Sequence, residues 1–178
     1  ESIIIYCSIT FIGSSMDSCV IDGRELARVT VEAKKTTKIE GFKIIGNKTY
    51  STSKCVYSSG QMEDLNLKNC TICNTNEGIF VAISNGTIEN VIIYDVRQGV
   101  GTFCGFEECT PKLINSLIIV DDTGGNYNRA FYSSTGGSPY IANCILLRRE
   151  TDPEEYVQGI NGSHMGMTVK NNLFGGFT

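Results

Sequence analysis

Leu67-Lys68-Asn69-Cys70-Thr71-Ile72 decides how the chain is read, because its frame, apolar at both ends with asparagine third, keeps returning. It recurs as IENVII at 88–93, LINSLI at 113–118, IANCIL at 141–146 and VKNNLF at 169–174. Upstream it appears with glycine for asparagine, as IEGFKI at 39–44. From Gly41 through Asn69, Asn90, Asn115 and Asn143 to Asn171 the third positions are 28, 21, 25, 28 and 28 residues apart. That period is too long for a meander of hairpins and holds too few helix formers for a helical pair. It fits a coil of three short strands joined by turns, each coil stacked on the last. The sequence between repeats agrees: turn-like residues 74–78, a strand at 79–83, a turn at 84–86, then the next frame.

Asparagine suits such a column on two counts. It tolerates the left-handed backbone of a bend, and its amide can bond to the same amide one rung away. Glycine meets only the first need, so a ladder of Asn69, Asn90, Asn115, Asn143 and Asn171 is expected to begin at Asn69. A leucine-rich repeat also carries a periodic asparagine, but its Leu-x-x-Leu-x-Leu frame is absent, and it stays only as the alternative solenoid.

Composition points the same way. Among 178 residues there are 19 glycines, 3 prolines and no tryptophan, with abundant Val, Ile, Thr and Tyr, which favours short strands and tight turns. The net charge of −4, with no basic run beyond Lys34-Lys35 and Arg148-Arg149, leaves no electrostatic footprint for nucleic acid or an anionic membrane. Apolar runs such as 3–6 and 116–120 are strand-sized, far short of the roughly 20 residues of a membrane span. Residues 1–178 are expected to form a single domain, a fragment of a longer chain whose flanks carry any targeting signal.

The segments ITFIG at 9–13, CVIDG at 19–23, RVTV at 28–31 and IEGFKIIG at 39–46 read as strand, turn, strand. With the repeats they resemble the right-handed parallel β-helix proteins of the pectate-lyase-like superfamily, over nearly the whole chain. The resemblance implies an all-β, right-handed parallel β-helix of about six to seven coils with an asparagine ladder. It also implies a secreted, cell-surface or virion-associated setting and a polysaccharide or glycan as partner. These motifs are architectural and do not fix an activity.

In that superfamily chemistry sits on an outer strand face, where acids and arginines of adjacent coils meet a sugar chain. Rungs of a parallel stack lie about 4.8 Å apart, so residues one period apart become neighbours. Five to seven positions beyond each ladder asparagine stand Asp95 and Arg97, then Asp121 and Asp122, then Arg148, Arg149 and Glu150. Asp121, Asp122, Arg97 and Arg149 are the candidate catalytic set, and Asp95, Arg148 and Glu150 the candidate substrate contacts. Such a cluster could bind a uronic acid through arginine, move protons through paired carboxylates, or hold Ca²⁺; no other cofactor and no dedicated metal site is expected. The plainer reading is polar strand ends with opposite charges pairing between rungs. Polygalacturonases need Gly-His-Gly and Arg-x-Lys on successive coils. Here Gly162-Ser163-His164-Met165 stands where the former would be and the latter is absent, so that hydrolase assignment fails. Arg97, Arg148 or Arg149 could imitate a lyase base, without a motif to anchor it. His164, in a glycine-rich turn, reads as a turn residue.

Eight cysteines could suggest a disulfide framework, but Cys70 and Cys144 directly follow ladder asparagines, where a small apolar side chain facing the core would serve. Cys70 and Cys73 have CxxC spacing inside a strand, with no second pair or nearby histidine to make a zinc site. Cys104 and Cys109 bracket a turn and are the expected bonded pair. Asn47, Asn69, Asn85 and Asn161 each begin an Asn-x-Ser/Thr sequon, a match that an Asn-rich turn protein also produces by chance.

Strand parity adds one more expectation. If the first and third residues after each asparagine face the core, then Ile92, Tyr94, Leu117, Ile119, Ile145, Leu147 and Leu173 face out as an apolar stripe. Either a loop of this chain covers it, or it marks a lateral oligomer or a covering segment. The expected function is an extracellular or surface β-helix, carbohydrate-associated or structural, with no complete catalytic constellation. The alternative is a polysaccharide lyase or glycoside hydrolase acting on an acidic polysaccharide.

Overall fold

A computed structural model of the chain describes residues 2–24, 28–58, 64–82, 84–104, 109–121, 128–134, 136–149, 157–162 and 166–177. Among these there is no helix, and the strand pairings are parallel throughout, forming a 7-stranded and a 12-stranded sheet. None of the described residues forms a helix long and apolar enough to cross a membrane.

Each coil has three faces. The first is short, as in Leu65–Lys68, Thr87–Glu89 and Lys112–Ile114. The chain then bends at the repeating asparagine and runs up a second face, turns a shallow corner, and continues on a third. In Thr71–Ala82 and Ile92–Phe103 one unbroken strand covers both the second and third faces; elsewhere they are separate strands, as in Leu117–Asp121 followed by Asn128–Ser133. The bend residues Asn69, Asn90, Asn115, Asn143 and Asn171 all have φ between 52° and 55°, and Gly41 has φ of 77°. This left-handed geometry is why asparagine or glycine occupies the position.

Core columns follow from the in-register stacking. Ile39, Leu67, Ile88, Leu113 and Ile141 line the first face inside. Ile44, Ile72, Ile93, Ile118 and Leu146 line the second, and Val31, Val56, Ile79, Val100 and Phe131 the third. Each is almost wholly withdrawn from water, which removes apolar surface at about 25 cal/mol per Å². Cys70 and Cys144 are buried behind the bend, as expected from their place in the repeat. Burial is the main force pushing both thiols above their ordinary value. Cys104 and Cys109 form a disulfide with Cα atoms 5.8 Å apart.

Two expectations need correction. The solenoid makes about five turns rather than six to seven. The asparagine column is also not continuous. Asn90 Nδ2 donates to Asn69 Oδ1 at 2.6 Å, Asn143 to Asn115 at 3.3 Å and Asn171 to Asn143 at 3.5 Å, but no side-chain bond joins Asn115 to Asn90. Shared backbone geometry is what unites the column, with amide bonds in two separate runs. At its lower end Asn69 Nδ2 turns to Glu40 Oε1, 3.2 Å away. Gly41 could not have extended it, since a Cβ there would lie 2.5 Å from the carbonyl oxygen of Gly13.

Candidate functional site

The corner between the second and third faces gathers charge. Asp95 sits at a bulge in Ile92–Phe103, where the register against Leu117–Asp121 shifts, and has φ of 58°; Asn74, one coil earlier, has φ of 57°. That left-handed step turns Asp95 toward Asp121 of the next coil, and Asp121 pairs in register with Arg149 of the one after. Lys48, from the turn preceding Lys54–Ser58, reaches both acids, across one intervening coil to Asp95 and across two to Asp121. Its Nζ lies 2.5 Å from Asp95 Oδ1 and 3.1 Å from Asp121 Oδ2. Arg149 Nη2 lies 2.8 Å from Asp121 Oδ1 and 3.8 Å from Asp95 Oδ1. The Lys48 turn is itself fastened: Asn76 Nδ2 donates to the carbonyl oxygens of Lys48 at 3.2 Å and Tyr50 at 2.5 Å.

Burial pushes Asp121 above the ordinary carboxylate value despite Lys48 and Arg149, and a proton shared with Asp95 adds to the rise. At Asp95 burial acts upward too, but hydrogen bonding and charge from Lys48, the bond with Asp121 and the Arg149 charge outweigh it and hold the group low. The pair could in principle move a proton. Both carboxylates are nevertheless already ion-paired with cations of the same chain, and the Asp121 side chain is only 1% exposed.

Sequence position brought Asp95, Asp121 and Arg149 together, as expected. Arg97 departs: its Nε donates to Asn128 Oδ1 at 3.4 Å, and it lines a separate cleft with Ser51, Thr52, Asn76, Glu77 and Gln98. Arg148 departs further. It stands at an inward position of Ile145–Arg149, opposite Val120, and is buried. The pleat sends neighbours to opposite sides, so Arg148 and Arg149 could not both join an outer cluster. Asp122, Glu150 and His164 lie outside the described residues. Lys48 was missed because the count began at Asn69; from Gly41 it is the seventh residue on, within the same window.

A second feature, on the third face, has no repeat signature. Outward positions there form two parallel rows. One runs Lys54, Glu77, Gln98, Arg129, Gln158; the other runs Tyr57, Phe80, Gly101, Tyr132, Asn161. The Tyr57 and Phe80 rings have centroids 5.8 Å apart and are inclined by 57°. Lys54 Nζ lies 5.2 Å from the Phe80 centroid and 2.7 Å from Glu77 Oε2, and the Arg129 guanidinium lies 4.8 Å from the Tyr132 ring. Gly101 opens the space between aromatics, because a Cβ there would come within 2.8 Å of the Phe80 ring. Arg28, Val29, Thr52, Lys54, Tyr57 and Phe80 line an open cleft along this face. It adjoins the Arg97 cleft through Thr52.

The chain matches no family model, no curated protein and no solved structure. Its chemistry therefore has to be read from these two sites alone.

Strand parity holds. Ile92, Tyr94, Leu117, Ile119 and Leu147 are half-buried on the outside of the second face, and Ile145 and Leu173 are 42% and 60% exposed.

Proposed function

We propose that this chain is a secreted or surface-borne solenoid that holds a glycan along its third face without cleaving it. The observation that carries this reading is the pair of rows on that face. Half-buried aromatic rings on three of the five rungs, Tyr57, Phe80 and Tyr132, offer apolar platforms to sugar faces. Amide, carboxylate and cationic side chains in the adjacent row stand where hydroxyls would be met. The Cys104–Cys109 disulfide supports an oxidising compartment. Kinship with the pectate-lyase-like superfamily belongs to the same proposal and is supported by the parallel coil alone.

Cleavage is the weaker reading. Asp95 and Asp121 each pair with Lys48 and with Arg149, so the cluster is better suited to tying coils together than to acting on a bound chain. The test is a panel of acidic and neutral polysaccharides scored for retention and for release of new chain ends. Retention without cleavage is expected, weakened roughly tenfold by Phe80→Ala with Tyr57→Ala and unchanged by Asp121→Asn. Chain ends that appear with the native protein and vanish with Asp121→Asn would establish the enzyme instead. The apolar stripe favours an additional lateral association, and sedimentation of the native chain against Ile145→Ser with Leu173→Ser checks it.

A further inference from the structure

Four sequons begin at Asn47, Asn69, Asn85 and Asn161, and the fold treats their asparagines differently. Asn47 is 5% exposed, and its Oδ1 accepts the Thr49 amide at 2.8 Å. Asn69 spends both ends of its amide in the bend column, donating to Glu40 and accepting from Asn90. Asn161 Nδ2 donates to Gln158 Oε1 within the third face, where a large substituent would lie across the Tyr132 row.

Asn85 stands apart. It is exposed at the turn between the third and first faces. Its Oδ1 accepts the Thr110 backbone amide at 2.8 Å and faces the Thr110 hydroxyl at 3.4 Å, while its own backbone N–H donates to Asp64 Oδ1 at 3.3 Å. Anchoring the carbonyl end fixes the rotamer, and Nδ2 has no hydrogen-bond partner among the described residues. The turn beneath is firm: Ser84 Oγ accepts the Leu65 amide at 3.2 Å and the Gly86 amide at 3.1 Å. A substituent on Nδ2 therefore needs no bond broken and no coil displaced. Thr87, the third sequon residue, is partly exposed beside it.

We infer that Asn85 is the N-glycosylation site of this chain, and that the other three sequons stay unmodified in the folded protein. In the reaction the Asn85 Nδ2 bonds to the anomeric carbon of an oligosaccharide carried on a lipid diphosphate. The carbon–oxygen bond to the diphosphate breaks, the diphosphate leaves with that electron pair, and the amide loses one proton. The inference rests on the extracellular part of the proposed function and not on its ligand. The attached glycan sits at the turn, off the aromatic face.

The test expresses the 178-residue chain behind a cleavable secretion leader in a eukaryotic cell and maps glycan occupancy on the folded product, secreted or extracted. One glycan, on Asn85, is expected, and Asn85→Gln removes it. Because that variant also disturbs the Thr110 contact, Thr87→Ala, which spares it, must be unmodified as well. An unmodified Asn85 in folded native chain overturns the inference, as does a glycan on Asn47, Asn69 or Asn161. Polysaccharide retention by Asn85→Gln separates the two claims. Retention with an unmodified native Asn85 sinks only this one, and a glycosylated Asn85 without retention sinks only the groove.

Discussion

At the scale of the residue, Gly41 shows how a repeat can be legible while its exception is not. The missing amide was visible in the sequence, but the reason is steric and came from the fold: Gly41 and Gly13 stack so closely that a Cβ on either would strike the other's carbonyl oxygen. Gly41→Asn, which restores the repeat on paper, is expected to cost about 1–3 kcal/mol in a urea titration, through overpacking against backbone. Asp121 carries a second expectation, in its pH dependence. Its folded value is raised, so the native chain takes up this proton before the unfolded one, whose carboxyl titrates near 3.8. Its contribution to stability therefore grows as pH falls from neutral and levels off below that value. Asp95 has the opposite sign, contributing above 3.8 and fading as pH drops through its lowered value. Between pH 7 and pH 4 the stability of the native chain relative to Asp121→Asn should thus shift in favour of the native chain. A shift the other way in paired denaturation curves would contradict the assignment. The columns that hold Asp95, Asp121 and Arg149 were readable from spacing. The inward turn of Arg148 was legible too, since it is the fifth residue after Asn143 and strand parity sends it to the core side, but a count of azimuth alone ignores parity.

At the scale of the element, the bends and the first two faces follow the repeat closely, since 21 to 28 residues return the chain to the same azimuth. The third face does not. The turns that precede it differ in length from coil to coil, so Tyr57, Phe80 and Tyr132 fall at unequal distances from their bend residues and align only in space. That is why the aromatic row escaped sequence reading while the charge cluster did not. The Cys104–Cys109 bridge lies in a different turn, the one that leads from the third face of one coil to the first face of the next. It closes a short loop between buried ends, and its neighbour Gly137 packs against it with φ of 79°. Replacing both cysteines by serine is expected to lower stability by about 2 kcal/mol. Thermal melts of the variant and of the reduced native chain should agree if the bond, rather than the serines, is responsible.

At the scale of the whole molecule, each coil contacts only its neighbours, so stability adds up along one axis. The most exposed apolar residues are at the ends, Ile12 at 72% and Leu173 at 60%, whereas the central strands Thr71–Ala82 and Ile92–Phe103 are flanked on both sides. Hydrogen exchange is expected to be slowest in those two strands and to quicken toward Ile3–Ile5 and Leu173–Gly175. Uniform protection along the chain would argue against stepwise fraying. The Lys48 cluster modifies this picture, for it joins a turn of one coil to acids two and three coils further on, and Arg149 extends the tie by one more. Under a pulling force a plain solenoid would unwind like thread from a bobbin, one loop per event. Here the stretch between Lys48 and Arg149 is riveted, so the thread would run freely from either end and then catch, holding until a single larger rupture released the middle at once.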